Sequence, residues 1–320
     1  MQRLRETIGG DTDSVLSPTV TVVLPAHNEE MALKELVPGI CQVLEKVSFE
    51  ILVVDDGSTD ETWSIIKELC KSREELRGIR LTRNFGHQAA ILAGLSSARG
   101  QVVVMMDSDG QHPPEAIPDF LRHWEEGSEV VQGVRVGNDD EGFFKRWTSR
   151  IFYRLLSISG GPAIPVGAAD FRLLGRSAIR IVLDSVGPLI FLRGLIPWLG
   201  YPTKFVQFTA ASRIGGRTSY TWSRMVKFSL DGLMSFSIVP LRATLLLGFA
   251  VAMFSFIYLV IVLVAWLTAS ELVSGWASVM GLLSLLGGIQ LVTIGVLGEY
   301  VGRLFLANLQ RPHFVIREKS

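Results

Sequence analysis

Two stretches without a charged side chain, residues 243–267 and 272–298, constrain this 320-residue chain more than any other feature. Each exceeds the roughly 20 residues that an α-helix needs to cross the hydrocarbon of a bilayer, so the pair predicts two transmembrane helices. The connection between them carries only Glu271. Arg224, Lys227 and Arg242 precede the pair, and Arg303, Arg311, Arg317 and Lys319 follow it. The positive-inside rule therefore places both flanks in the cytoplasm, with a small loop on the far side. Gly281, Gly287, Gly288, Gly295, Gly298 and Gly302 leave room for close helix contacts, including contacts between copies of the chain. Residues 1–17 are polar and of mixed charge, lack the apolar run of a signal peptide, and read as a loose leader.

The water-facing part is organised around Val102-Val103-Val104-Met105-Met106 and the polar run that follows, Asp107-Ser108-Asp109-Gly110-Gln111-His112-Pro113-Pro114. Five apolar residues without alternation suit a strand covered on both faces, as in a parallel sheet. The acids then sit at the carboxyl edge, where open α/β sheets bind ligands. Asp107, Asp109 and Gln111 send three oxygens to one side of an extended chain, which suits Mg²⁺ or Mn²⁺ completed by water and the phosphates of a nucleotide. An acidic turn closed by Pro113 and Pro114 is the plainer alternative.

The segments before this strand repeat one pattern. Residues 19–24 read as a strand leading through Pro25-Ala26-His27-Asn28-Glu29-Glu30 to a helix over 31–47. Residues 49–54 read as a second strand, ending in Asp55-Asp56-Gly57-Ser58-Thr59-Asp60 before a helix over 61–71. Residues 78–82 make a third, followed by Arg83-Asn84-Phe85-Gly86-His87-Gln88 and a small-residue helix over 89–98. Three strand–loop–helix units feeding a fourth strand predict a doubly wound α/β nucleotide-binding sheet. Asp55 and Asp56 suit hydrogen bonds from a nucleobase, and they suit a helix-capping turn equally well. A net charge of zero gives no basic field for nucleic acid, and Cys41 and Cys70 read as core thiols compatible with a reducing compartment.

Taken together, Pro25-Ala26-His27-Asn28-Glu29, Val53-Val54-Asp55-Asp56-Gly57-Ser58-Thr59-Asp60 and the Asp107–Pro114 run resemble the family 2 glycosyltransferases of GT-A fold. More narrowly, the chain is similar to the polyprenyl-phosphate glycosyltransferases, which include dolichol-phosphate mannose synthases and the bacterial enzymes that charge undecaprenyl phosphate with one sugar. Asn84-Phe85-Gly86, Ala169-Asp170-Phe171-Arg172-Leu173, the run Gly298-Glu299-Tyr300-Val301-Gly302-Arg303 and the two-helix tail fit as well, so the resemblance covers nearly the whole chain. It implies a Rossmann-like, mostly parallel catalytic domain. It also implies nucleotide contacts from Pro25, Ala26, Asn28, Glu29, Asp55, Asp56, Asp107 and Ser108, and a metal on the donor diphosphate held by Asp107, Asp109 and Gln111. Asp170 matches the family's proposed catalytic acid, with Asp109 beside the chemistry. Pairing of Asp170 with Arg172 or Arg176 is the structural alternative.

Phosphate contacts are expected from Arg135, at the end of a strand over 130–136, and from Arg213, Arg217 and Thr218 in the glycine-bearing run 213–220. The family pattern there has Lys where this chain has Ser219, which leaves open which group supplies that charge. Residues 143–157 form a basic, aromatic amphipathic stretch suited to a membrane surface or to packing on the sheet. The expected layout is a leader over 1–17, the catalytic domain over 18–221, an interfacial amphipathic helix over 222–240, two transmembrane helices over 241–306 and a cytoplasmic tail over 307–320.

The function expected is inverting, metal-dependent transfer of one sugar from a UDP- or GDP-linked donor to the phosphate of a membrane polyprenol, undecaprenyl or dolichyl phosphate. This would be the work of a cell-envelope enzyme integral to a bacterial inner membrane. Inversion is carried by the resemblance, as is assembly of copies into a homo-oligomer, with four chains as the family-level form. A processive polysaccharide synthase is a weaker reading, since Phe143 stands where such enzymes place Gln before Arg146-Trp147. A membrane-anchored nucleotide-sugar-binding protein without activity is the other. The sequence does not identify the sugar.

Overall fold

The computed structural model describes residues 18–136, 167–187, 190–211, 239–268, 275–309 and 311–320. The strands are β1 (Val20–Ala26), β2 (Phe49–Asp55), β3 (Leu76–Leu81), β4 (Val102–Met105), β5 (Val130–Val136), β6 (Ala168–Gly175), β7 (Thr203–Thr209) and β8 (Ile316–Lys319). They form one sheet in the order β7-β5-β6-β4-β1-β2-β3-β8. Its centre is parallel, as the unalternating apolar runs require: β1 pairs with β2 and β4, and β2 pairs with β3. All seven residues of β1 are buried.

Side chains alternate between two helical layers. Val20, Val22 and Leu24 face a core built by α1 (Glu30–Leu44), α2 (Thr62–Ser72) and α4 (Ile117–Glu125), the last entered through a 3₁₀ turn at Pro114–Ala116. Val23, Leu52, Val54, Val103 and Met105 face the other way, against α3 (His87–Ser97), α5 (Arg176–Ser185) and α6 (Leu192–Trp198). Cys41 and Cys70 are free thiols packed partly buried on the first core. Three layers around a central sheet bear out the α/β class.

Three features were not in the sequence reading. Strand β6 runs antiparallel to both β4 and β5, so it begins at the carboxyl edge, where β5 ends. Helix α5 follows it directly. Within the segment expected as a tail, residues 316–319 form β8, antiparallel to β3. Both of its ends are tied down. Gly78 and Ser320 exchange N–H···O bonds of 3.0 and 2.9 Å, and Thr82 N–H donates to the Val315 carbonyl at 2.9 Å. Phe314 and Ile316 pack on the second core, and such burial explains why a short, charged strand stays docked.

The two apolar runs are helices α7 (Val239–Thr268) and α8 (Trp276–Asn308). Both contain windows long and apolar enough to cross a membrane, and neither window is buried inside the protein. Helix α8 extends past the charge-free run through Glu299 and Arg303, which pair one turn apart at 2.8 Å. The expected stretches over 143–157 and 222–238 lie outside the described residues.

Candidate active site

Strands β1, β2, β3, β4, β5 and β7 all point the same way, so their carboxyl ends share one edge. Four loops meet there and are laced together through side chains. Asn28, in the left-handed region at φ 58°, accepts the Thr59 N–H at 3.0 Å while its own N–H donates to Ser58 Oγ at 3.0 Å. Glu29 N–H donates to Thr62 Oγ1 at 3.0 Å. Ser108 Oγ donates to the Pro25 carbonyl at 2.7 Å, linking the β4 loop to the β1 loop next to Ala26.

Both acids of the second loop are buried, and both are engaged. Asp55 Oδ1 accepts the Ser58 N–H at 2.9 Å, and Oδ2 forms an ion pair with Arg80 Nε at 3.1 Å that lies off hydrogen-bond geometry. Asp56 accepts Phe85 N–H at 2.7 Å and Gly86 N–H at 2.9 Å, one on each oxygen. Gly57, at φ 65°, is needed because a Cβ there would stand 2.5 Å from the Arg83 carbonyl carbon. The glycine thus admits the neighbouring turn of the protein itself. These two carboxylates hold the 55–58 and 83–86 turns against each other.

The β4 side is arranged differently. The antiparallel register sets Met105 opposite Arg172, so continuing it two residues brings Asp107 opposite Asp170. One imidazole lies between them: His87 Nε2, at the start of α3, is 3.3 Å from Asp107 Oδ1 and 3.8 Å from Asp170 Oδ2. Asp109 Oδ1 accepts the Gln111 N–H at 3.0 Å, and the Gln111 carbonyl accepts from Ala211 N–H at 3.3 Å. His112 accepts the Asp107 N–H on Nδ1 at 3.0 Å and stacks flat on Phe171, centroids 4.9 Å apart. Burial lowers its pKa, outweighing the nearby acids, so the ring is neutral with its proton on Nε2.

Asp170, 8% exposed, is gripped by two arginines. Arg193 contacts Oδ1 through Nε at 3.3 Å and Oδ2 through Nη2 at 2.8 Å, while Arg172 Nη2 donates to Oδ1 at 3.2 Å. Gln88 Nε2 donates to Oδ2 at 3.3 Å and its Oε1 accepts Leu192 N–H at 3.1 Å, which ties α3 to α6. Burial alone would raise the pKa of Asp170, but the guanidinium groups of Arg193 and Arg172 more than offset it and hold the carboxyl well below the usual range. Arg172 is itself pushed down to about 10 by burial, against the pull of Asp170. Of the two pairings weighed from sequence, Arg172 is made, whereas Arg176 donates to the Ala98 carbonyl.

Several buried polar atoms here have no hydrogen-bond partner among the described residues: Asp107 Oδ1, Arg172 Nε and Nη1, and Arg135 Nε at the end of β5. Arg135 reaches the same edge, its N–H donating to the Gly167 carbonyl at 3.0 Å. Among the described residues no three His, Cys, Asp or Glu side chains are arranged to hold a metal ion by themselves. The residues nonetheless fit a hard divalent cation, because Asp107 Oδ1, beside His87 at 3.3 Å, accepts no hydrogen bond among the described residues and Mg²⁺-type sites take one or two carboxylates plus water and substrate phosphate. Arg213, Arg217 and Thr218 lie outside the described residues. His87, Gln88 and Arg193 were not singled out as site residues from sequence. The signal was present only as polar residues at helix starts on neighbouring elements.

Comparison with known proteins places this edge in a family. Residues 21–182 match the family model described as glycosyl transferase family 2. An uncharacterized glycosyltransferase of Bacillus subtilis, YkcC, is 36% identical, covering 93% of each chain. The bactoprenol glucosyl transferase of Shigella phage SfV is 33% identical over 94% of this chain and 99% of its own. Among solved structures, glucosyl-3-phosphoglycerate synthase from Mycobacterium tuberculosis, in complex with Mn²⁺, UDP and phosphoglyceric acid, aligns with TM-score 0.50 and 20% identity over 68% of this chain and 76% of that one. At that identity the likeness shows the fold, which is the GT-A fold expected. With half of its length in the family model and relatives matching nearly end to end, the chain belongs to the family 2 glycosyltransferases.

Proposed function

We propose that this enzyme moves one sugar from a nucleotide-diphosphate donor to the phosphate of a membrane polyprenol, inverting the anomeric carbon. The observation that carries this reading is the place where the chain leaves the sheet. β7 ends at the carboxyl edge, and β8 begins there because it is antiparallel to β3. Residues 309–315 between α8 and β8 span at most about 25 Å, so the acidic edge stays near the apolar hairpin. A water-soluble donor and a lipid-borne acceptor could then meet at one site. The relative from phage SfV, named for bactoprenol, a polyprenol, supports the acceptor class.

In this reading the donor's nucleoside lies against the loops fixed by Asn28, Glu29, Asp55 and Asp56, beside Pro25, Ala26 and Ser108. Asp107 and Asp109, with Gln111, would hold Mg²⁺ or Mn²⁺, which when bound neutralises charge growing on the leaving diphosphate. Arg135, Arg213, Arg217 and Thr218 would contact phosphates. Asp170 is a poor general base with so low a pKa, and little base is needed, because an acceptor phosphate is already anionic at neutral pH. Its role is to orient Arg193 and His87 at the site. The layout keeps 18–221 as the catalytic domain, 222–240 as an interfacial helix and both flanks of the hairpin on the cytoplasmic face, which suits strands on either side of the hairpin sharing one sheet.

The test is direct. Purified protein in nanodiscs is mixed with undecaprenyl phosphate, Mg²⁺ or Mn²⁺ and a panel of labelled UDP- and GDP-sugars. A lipid carrying one sugar is expected from one donor; a polymer or no product from any donor would overturn the reading.

A further inference from the structure

Arg80 on β3 joins the second loop to the strand that follows the membrane hairpin. Its Nε stands 3.1 Å from Asp55 Oδ2, and Nη2 donates to the Ser58 carbonyl at 3.2 Å, so one guanidinium grips both ends of the 55–58 turn. That turn carries the Ser58 and Thr59 bonds to Asn28. The guanidinium carbon lies 5.8 Å from the Trp63 ring centroid, within cation–π range. The indole is oriented in turn from β8: Trp63 Nε1 donates to Glu318 Oε2 at 3.1 Å. Glu318 is also the register partner of Arg80 across the β3–β8 pair.

We propose that Arg80, Trp63 and Glu318 are positioning residues for the donor nucleotide, and that through them strand β8 makes nucleotide affinity depend on the chain that returns from the membrane. None of the three is assigned to the site above, and Glu318 is separated from Asp55 by the whole hairpin in sequence. The physical step is short. A guanidinium that is free to rotate can satisfy either Asp55 or the Ser58 carbonyl in many rotamers, whereas one flanked by an oriented indole keeps the fork that serves both. Removing the Glu318 carboxylate releases the indole, then the guanidinium, then the turn on which Asn28 depends. This inference rests on the reading that the 55–59 and 25–29 loops receive the nucleoside.

The experiment uses the full chain in nanodiscs and reads Kd for UDP and for GDP by calorimetry in the presence of Mn²⁺, alongside KM for donor and for polyprenyl phosphate. Glu318→Ala and Arg80→Lys are expected to raise the nucleotide Kd and donor KM about tenfold, with acceptor KM and kcat held within about twofold. Glu318→Gln, whose amide oxygen still accepts the indole N–H, should recover most of the affinity. Arg317→Ala, an exposed neighbour on β8, should match the wild type. Unchanged nucleotide binding in Glu318→Ala overturns the inference. So does a variant that loses donor and acceptor affinity together with thermal stability, since that would make β8 a general brace. Failure of the wild type to bind either nucleotide would instead overturn the reading of the site.

Discussion

The two halves of the carboxyl edge are built on opposite principles. On the β1–β2–β3 side every loop is closed on its neighbour: Asp56 spends both oxygens on backbone N–H groups, Asp55 caps its own turn, and Asn28 bridges two loops. On the β4–β6–β5 side more is left open: among the described residues Asp107 Oδ1, Arg135 Nε and two nitrogens of Arg172 lack hydrogen bonds, against Asp55 Oδ2 on the other side, which still has the charge of Arg80 beside it. Native proteins seldom bury polar atoms without partners, because each costs on the order of 1–3 kcal/mol. Their concentration on the β4–β6–β5 side, among the described residues, suits the proposed reading in which that half receives charge from a bound donor. The closed half works by holding shape.

Substitutions should separate the two halves, and the largest effect belongs to the open one. Asp107→Asn or Asp109→Asn is expected to lower turnover about a thousandfold or more while the amount of folded protein in the membrane fraction stays unchanged. Wild-type rates in either variant would place the metal elsewhere.

Asp170→Asn sits between the halves in character, since it leaves the buried guanidinium of Arg172 and the partly buried one of Arg193 without their counter-charge. A loss of about 3–5 kcal/mol in urea unfolding is expected, with turnover down about a hundredfold as Arg193 and His87 lose their orientation. Its pH dependence has a definite sign. The folded pKa is depressed, so the stabilisation is complete above the ordinary carboxylate value and is lost as pH falls through the lower folded one. The gap in unfolding midpoint between wild type and Asp170→Asn should therefore be constant from pH 8 to pH 5 and close only in strong acid, below about pH 4.

In the closed half, Asp56→Ala removes two charge-assisted bonds to Phe85 and Gly86 and should cost about 3 kcal/mol. It should raise donor KM more than it lowers kcat; a pure kcat loss would move Asp56 into the chemistry. Smallest is Gly57→Ala, expected to cost about 1–3 kcal/mol through the left-handed backbone and the close approach of Arg83, with the same direction in donor KM.

The boundary between what the sequence disclosed and what it hid follows the same division. Strands β1 to β4 and their helices were readable because each unit is local, an apolar run followed by a loop and a periodic helix. Strand β6 announces nothing about its direction, so the meeting of Asp107 with Asp170 depended on a pairing that no local pattern encodes. His87, Gln88 and Arg193 belong to the site only through that pairing. The Asp55–Asp56 pair was legible as important, but its acids proved to be committed to Ser58, Phe85 and Gly86, a choice between ligand and turn that composition leaves open. Strand β8 was hidden for a different reason. Four residues with three charges resemble a solvated end, and only the waiting edge of β3 makes a strand of them.

That late strand has a consequence for how the molecule is assembled. Among the described residues seven strands precede α7 and α8 in the chain and the eighth follows them, so the place beside β3 stays vacant until both apolar helices have been synthesised. Filling it closes a loop that encloses the hairpin and spans most of the sequence, among the slowest kinds of contact to form. A chain whose two apolar helices failed to form their antiparallel pair would hold its final segment away from β3 and leave that edge bare. In the membrane-spanning arrangement proposed above, insertion into the bilayer and completion of the sheet would be made a single event.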